Sequence, residues 1–275
     1  SWNGGIITDS GGFQAYSFIK MGLGKIKEDY LEFHSPKNKS KHRLTPEKSI
    51  EIQLALRSDV IIVLDDPIEP DSEHSRIKLS VERTIRWAKI CKQYFLKRKA
   101  EIQQIDPNYN PLIFAVIQGG ADLKLREFCF SNLYELEFDG FGFGGWPMDK
   151  NGKFYDSLIK FNASLVNSIN DKKHHYNYAM GVGTPDDIVK CLTWGYDLFD
   201  CVLPTRNARH GYLYVPKGYG EIAGENFDRI QITSSRYKDD ERMISPNSKI
   251  DELRNTSFKY LRYLFKIKDS NALRI

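Results

Sequence analysis

The sequence contains no run of about 20 apolar residues, the length a membrane-crossing helix needs. Its opening, Ser-Trp-Asn-Gly-Gly, lacks the basic and apolar regions of a secretory signal. Cysteine is scarce: Cys91, Cys129, Cys191 and Cys201 are far apart, and no C-x-x-C or C-x-C pair is present to hold a metal or form a redox couple. Strong charge of one sign is also missing. With 40 Lys and Arg against 36 Asp and Glu, the formal charge is only +4, which is no signature of nucleic-acid binding but tolerates a phosphate-bearing partner. There is no low-complexity tract and no internal repeat. These absences point to a cytoplasmic, soluble protein with free thiols.

What is present is enough for a full core: 275 residues, 41% hydrophobic and 28% charged. Short β-rich runs alternate with longer helical patterns, the signature of βα units around a parallel sheet. The runs predict strands over 6–8, 60–64, 112–117, 138–143, 176–180 and 198–203, each followed by a polar or Gly-rich turn. Thr45-Pro-Glu-Lys opens a helix with Thr as N-cap and Pro at the first helical position, and Ile50, Ile52, Leu54 and Leu56 are expected on its mostly buried side. Further helices are predicted over 80–99, 121–136 and 154–169, and a fifth from Thr184-Pro-Asp-Asp to about Trp194.

Conspicuous polar and Gly residues gather at the strand ends, as they do in a (β/α)8 barrel of the TIM type, where the loops after the strands carry function. A closed barrel of that type needs eight strands, so six visible units are read as a chain lacking its first two units upstream. The expected division is an α/β barrel domain over 1–210 and an appendage over 211–275, built from hairpin-like β structure, a charged linker near 238–247 and an amphipathic helix from about Asp251.

The organising stretch is Gly195-Tyr-Asp-Leu-Phe-Asp200-Cys-Val-Leu-Pro-Thr-Arg206-Asn-Ala-Arg209-His-Gly211. An apolar run places one carboxylate and then enters what reads as a basic loop. A carboxylate at a strand end is costly to bury unless it is hydrogen-bonded or used. Asp9 and Asp65 end two other strands, and barrel strand ends converge. A pair of carboxylates suits glycosyl chemistry, one as anionic nucleophile and one as proton handler. A third can then accept hydrogen bonds from a ring N–H and an exocyclic amine, which a purine-like base offers.

These residues carry a resemblance. Thr8-Asp-Ser-Gly-Gly-Phe-Gln14, His42-Arg-Leu-Thr-Pro-Glu-Lys-Ser-Ile-Glu-Ile-Gln53, Ser80-Val-Glu-Arg-Thr-Ile-Arg-Trp-Ala88, Gln118-Gly-Gly120, Phe138-Asp-Gly-Phe-Gly-Phe-Gly-Gly145, Met180-Gly-Val-Gly-Thr-Pro-Asp-Asp-Ile188 and the Phe199 to Gly211 run resemble the tRNA-guanine transglycosylase family. The resemblance implies exchange of guanine at the tRNA wobble position for a 7-deazaguanine base, 7-aminomethyl-7-deazaguanine or queuine, in queuosine biosynthesis. It implies Asp200 as nucleophile and Asp9 as general acid/base. Asp65, Gln118 and the Gly145 amide would read the base edge, Phe13 and Met180 would sandwich its faces, and Arg206 and Arg209 would hold RNA. The implied partners are tRNA, guanine and the incoming base, with a homodimer possible and no membrane. Two other classes stay open: a non-catalytic RNA-binding subunit of a transglycosylase complex, and a barrel nucleosidase or glycoside hydrolase.

The chain also departs from the family pattern. The C-x-C-x-x-C cluster that contributes to a structural zinc site falls on Ser248, Ile250 and Leu253, so no zinc or other cofactor is expected. Trp146-Pro147 follows Gly145 where a Leu and a small residue are common, and Trp146 either narrows the base pocket or packs outside it. Pro67 stands where many bacterial members carry Cys.

Overall fold

The computed structural model describes residues 2–149, 151–217, 222–223 and 227–275. The chain divides into two compact units, Ser1–Met180 with Trp194–Leu198, and Gly181–Thr193 with Phe199–Ile275.

In chain order the first unit holds β1 (Ile7–Thr8), α1 (Gly12–Lys20), β2 (Gly24–Ile26), β3 (Leu31–His34), β4 (Lys41–Leu44), α2 (Pro46–Ala55), β5 (Val60–Ile62), α3 (His74–Gln103), β6 (Leu112–Ile117), α4 (Leu123–Tyr134), β7 (Gly140–Phe143), α5 (Asp156–Asn167) and β8 (Tyr176–Ala179). Next come α6 (Pro185–Thr193) of the second unit and β9 (Leu198–Phe199), whose first residue belongs to the first unit. The second unit continues with α7 (Leu203–Arg209), β10 (Tyr212–Pro216), β11 (Ile222–Ala223), β12 (Phe227–Gln231), α8 (Asp251–Asn255) and α9 (Phe258–Lys266).

The six expected strands form one curled sheet in the order β1-β5-β6-β7-β8-β9. Pairing is parallel from β1 through β8, with Thr8 opposite Ile61, Ile62 opposite Phe114, and Ile117 opposite Phe143. This half-barrel of βα units is the TIM-barrel type of arrangement that the alternating pattern predicts. Its strands read as continuous apolar runs because both faces are covered: Ile113, Ala115 and Ile117 pack with Ile61, Val63 and the helices, while Ile62, Phe114, Val116 and Tyr178 form a second cluster on the opposite face.

Several expectations are corrected. The helix α2 begins as its N-cap signal predicts, with Thr45 Oγ1 accepting from the Lys48 amide at 3.1 Å. Its buried side, however, is Pro46, Ser49, Ile50, Gln53 and Leu54, while Ile52 and Leu56 are exposed. A spacing of two residues cannot keep side chains on one face of a 3.6-residue helix. The polar Ser49 and Gln53 take inner places because each meets backbone. Gln53 Nε2 donates to the Ile62 carbonyl at 2.8 Å, the Ile62 amide donates back to Gln53 Oε1 at 3.0 Å, and Ser49 Oγ donates to the Ser10 carbonyl at 2.7 Å.

The second predicted helix starts at His74 instead of Ser80, and a three-stranded antiparallel sheet β2-β3-β4 occupies residues for which no element was expected. The predicted strand over 198–203 stops at Phe199, because Pro204 fits the first turn of a helix and α7 begins at Leu203. Arg206 and Arg209 therefore stand on a helix, not on a loop.

In the second unit the hairpin-like pattern is an antiparallel sheet in the order β10-β12-β11, with Leu213 opposite Ile230; its Gly- and aromatic-bearing residues 218–221 and 224–226 lie outside the described residues. The single terminal helix expected from Asp251 is two helices, α8 and α9. The backbone is extended at Thr256, and Ser257 Oγ caps the second helix by accepting from the Tyr260 amide at 3.2 Å. Val215, Ile230, Tyr237, Phe258, Leu261 and Leu264 form the core of this unit.

Candidate functional site

Asp65 follows β5 and is buried, with 7% of its surface exposed. Its Oδ2 accepts from Gln118 Nε2 at 2.7 Å, which joins the end of β5 to the end of β6. Burial is the largest influence on its carboxyl group; the Gln118 hydrogen bond opposes it and the charges of Asp9 and Asp66 reinforce it, and the result is a pKa pushed up to about 7. A buried carboxyl group whose pKa lies near neutrality is poised to ionise when a ligand supplies N–H donors.

The neighbouring Asp66 is treated differently. It is fully buried and paired with Arg76, whose Nη1 and Nη2 donate at 2.9 and 2.7 Å, and with Arg83. Both arginines come from α3, and Thr84 and Ser80 of the same helix hold the Asp66 amide and carbonyl. Of two adjacent carboxylates, one is fixed by two arginines and the other accepts from the neutral Gln118 amide.

Gln118 is wholly buried, and among the described residues its Oε1 has no hydrogen-bond partner. It packs against the Gly144-Gly145 turn after β7: a Cβ on Gly144 would lie 2.7 Å from Gln118 Cδ, and Gly145 has φ +99°, a conformation other residues rarely adopt. Behind both turns lies Arg126 of α4, fully buried, a residue that sequence reasoning did not single out. Its Nη1 donates to the Ile117 carbonyl at 3.0 Å, its Nε to the Gly120 carbonyl at 2.8 Å and its Nη2 to the Gly144 carbonyl at 2.9 Å. Burial pushes its pKa down to about 10. Arginine on a helix is ordinarily a surface residue, so nothing in the local pattern marks it.

Asp9 follows β1 and is exposed, with Oδ1 accepting from the Ser10 amide at 2.8 Å. Its negative charge adds to the effect of burial in raising the Asp65 pKa. Phe13, in the first turn of α1, is 45% exposed, and its ring centroid lies 5.4 Å from that of Trp146. Tyr16 meets the same indole edge-on at 5.6 Å. Trp146 thus packs on the ring predicted to cover one face of a flat ligand. Met180 is half-buried after β8; a Cβ on Gly142 would lie 2.7 Å from its Sδ, and it packs with the cluster around Phe114 and Tyr178.

Asp9, Phe13, Asp65, Gln118, Gly145 and Met180 all belong to the first unit; Asp200, Arg206 and Arg209 belong to the second. There, Asp200 is exposed, and its Oδ1 accepts from the Gly181 amide at 3.0 Å. The turn that supplies this amide is closely packed: a Cβ on Gly183 would fall 2.1 Å from Cys201 Cβ, so only glycine fits beside the residue that follows the carboxylate. Arg206 and Arg209, three residues apart on α7, share one face of the helix and are exposed.

The positions predicted to lack zinc ligands are occupied by a small polar network. Ser248 Oγ accepts from the Ile250 amide at 3.1 Å, the Ser248 carbonyl accepts from Arg254 Nη1 at 3.0 Å, and Leu253 packs on the core of the second unit. Serine, isoleucine and leucine are not a donor set for zinc, and among the described residues no group of three or more His, Cys, Asp or Glu is placed to hold a metal. Cys91 and Cys129 are buried thiols whose pKa burial pushes up to about 12, which makes them core fillers and not nucleophiles. Among the described residues, no helix is long and apolar enough to cross a membrane.

Comparison with known proteins matches residues 1–275 to the family described as queuine tRNA-ribosyltransferase, another name for the family that the motifs resemble. A queuine tRNA-ribosyltransferase of Solibacter usitatus is 35% identical over 266 residues, covering 97% of this chain and 64% of that protein. One of Nitratidesulfovibrio vulgaris is 36% identical over 275 residues, covering 100% and 66%, and one of Staphylococcus aureus is 34% identical over 278 residues, covering 100% and 65%. The chain thus spans slightly under two thirds of the length of each.

Proposed function

Because the chain belongs to the queuine tRNA-ribosyltransferase family, we propose that it exchanges guanine at the tRNA wobble position for a 7-deazaguanine base by double displacement. The observation that carries this reading is the buried Asp65 carboxyl group bonded to Gln118 beside the Gly144-Gly145 turn. A carboxylate accepts from the ring N–H and the 2-amino group of a guanine-like base, while the second Gln118 Nε2 hydrogen and the Gly145 amide donate to its 6-oxo oxygen. Phe13 and Met180 supply apolar contact to its faces.

In the first displacement an Asp200 oxygen forms an ester bond to the anomeric carbon as the bond from that carbon to guanine N9 breaks, and Asp9 delivers a proton to the leaving base. In the second, N9 of the incoming base displaces Asp200, and Asp9 takes up the N9 proton. The Gly181 amide bonded to Asp200 orients that carboxylate. Arg206 and Arg209, with five donors each and a fixed charge, contact anticodon phosphates and bases. The incoming base is 7-aminomethyl-7-deazaguanine, with queuine the alternative, and the reaction belongs to queuosine biosynthesis in the cytoplasm. A second copy of the chain is the assembly to test by sedimentation, and the protein works without bound zinc.

The test is to trap the covalent intermediate. Protein and tRNA mixed with a base analogue that blocks completion should give an RNA-protein band that survives denaturing electrophoresis. Asp200→Asn should abolish the band, since an amide supplies no anionic oxygen, and Asp9→Asn should slow its appearance. A band formed by Asp200→Asn at the parent rate would overturn the assignment.

A further inference from the structure

We propose that Arg126 is the positioning residue for base recognition: it aims the Gly145 amide, and with it the Gln118 side chain, at the 6-oxo edge of the base. This rests on the assignment of Gly145 and Gln118 as base readers made above. The argument begins with the peptide plane. In a trans peptide the carbonyl and the following N–H point in opposite directions. Arg126 Nη2 donates to the Gly144 carbonyl at 2.9 Å, so the Gly145 N–H of the same peptide is turned away from the guanidinium. Gly145 has φ +99°, where glycine is the permissive residue, so without an anchor this peptide has unusual freedom to rotate.

The same guanidinium fixes the neighbouring strand end. Arg126 Nη1 donates to the Ile117 carbonyl, which also accepts from the Gly144 amide at 3.0 Å, and Nε donates to the Gly120 carbonyl beyond Gln118. One planar fork thus ties together the two turns that carry Gln118 and Gly145. Nη1 is also within 3.3 Å of Asn162 Oδ1 on α5, and the guanidinium lies over the Phe143 ring at 4.5 Å. Among the described residues, the acceptors that meet this buried cation are neutral carbonyls. Burying a charge in that way is unfavourable, and the recurrence of its bonds at two site turns gives the expense a purpose. Lysine would keep the charge, but its ammonium cannot reproduce the coplanar fork.

The experiment measures equilibrium binding of guanine and of 2-aminopurine, which has no 6-oxo group, to the full chain and to Arg126→Lys. Whatever else 2-aminopurine loses is lost in parent and variant alike, so the cycle isolates the 6-oxo contact. The parent should prefer guanine. Arg126→Lys should weaken guanine binding about tenfold, the scale of one aligned hydrogen bond in a buried site, and leave 2-aminopurine binding within about twofold of the parent. Exchange of the Gly145 amide proton should quicken in the same variant.

A folded Arg126→Lys that keeps the full preference for guanine overturns the proposal. If the parent itself shows no preference, the base-reader assignment fails first and the proposal falls with it, which is a distinguishable result. Should Arg126→Lys not fold, Asn162→Ala decides. Removing that one acceptor loosens the fork, so the guanine preference should drop by a smaller factor with 2-aminopurine again unaffected, and an unchanged preference counts against the proposal.

Discussion

Replacing Asp65 by Asn should make the protein more stable above neutral pH while destroying its affinity for the base. The direction follows from linkage. A carboxyl group whose pKa is raised on folding, here from 3.8 to about 7, holds its proton more tightly in the folded state. Its contribution to stability is therefore fully present below pH 4 and is lost as pH rises to about 7, because the folded state binds more protons than the unfolded state across that window. At about 1.4 kcal/mol for each tenfold change, the full loss is on the order of 4 kcal/mol, and about 2 to 3 kcal/mol of it falls between pH 5 and pH 8.

An Asn at this position accepts the Gln118 hydrogen bond without ionising, so the parent's decline should be missing from the variant. Urea unfolding of both proteins at pH 5 and pH 8 measures this directly: the stability of Asp65→Asn relative to the parent should rise by about 2 to 3 kcal/mol between the two values. The second half of the prediction is guanine affinity, which in the parent should fall about tenfold per pH unit below 7, since the base must meet the ionised form, and which in the variant should be weak at every pH. A stability difference that is the same at pH 5 and pH 8 would refute the reasoning, because it would mean that Asp65 titrates in the folded protein as it does in the unfolded chain.

Metal analysis of the purified protein should find no stoichiometric zinc, since Ser248, Ile250 and Leu253 form a hydrogen-bonded and apolar corner instead of a ligand set; one zinc per chain would refute this. Arg206→Ala and Arg209→Ala should each weaken RNA binding and lower the salt dependence of the binding constant by about one phosphate contact. An unchanged salt slope would remove α7 from the RNA surface.

The strands that carry the site were legible because they are apolar runs punctuated by Asp, Gln and Gly, and buried parallel strands have no other way to be written. Their ends were less so: Pro204 starts a helix where a strand and loop were expected, and the Arg pair moved with it. The sheet β2-β3-β4 escaped notice because its strands are three or four residues long and β4, Lys-His-Arg-Leu, has a single buried side chain. At the candidate site, Asp65, Gln118 and Gly145 were singled out through motif resemblance, but that Asp66 is clamped by Arg76 and Arg83 while Asp65 is not could not be read from two adjacent identical letters. Arg126 left no trace at all, since a buried arginine bonded to carbonyls looks in sequence like any exposed helical one.

The bonding between Gln53 and Ile62 bears on a hazard unrelated to the reaction. β1 ends at Thr8, opposite Ile61, and beyond that point β5 would present an unpaired N–H and C=O to whatever strand came near. Gln53 places its side-chain amide there and makes both bonds that a neighbouring backbone would have made, at 3.0 and 2.8 Å. A single glutamine thus acts as one residue of counterfeit strand. It lets the chain leave the sheet early to form the Asp9-Ser-Gly-Gly turn, and it leaves no bare Ile62 backbone for the strand of a second molecule to pair with.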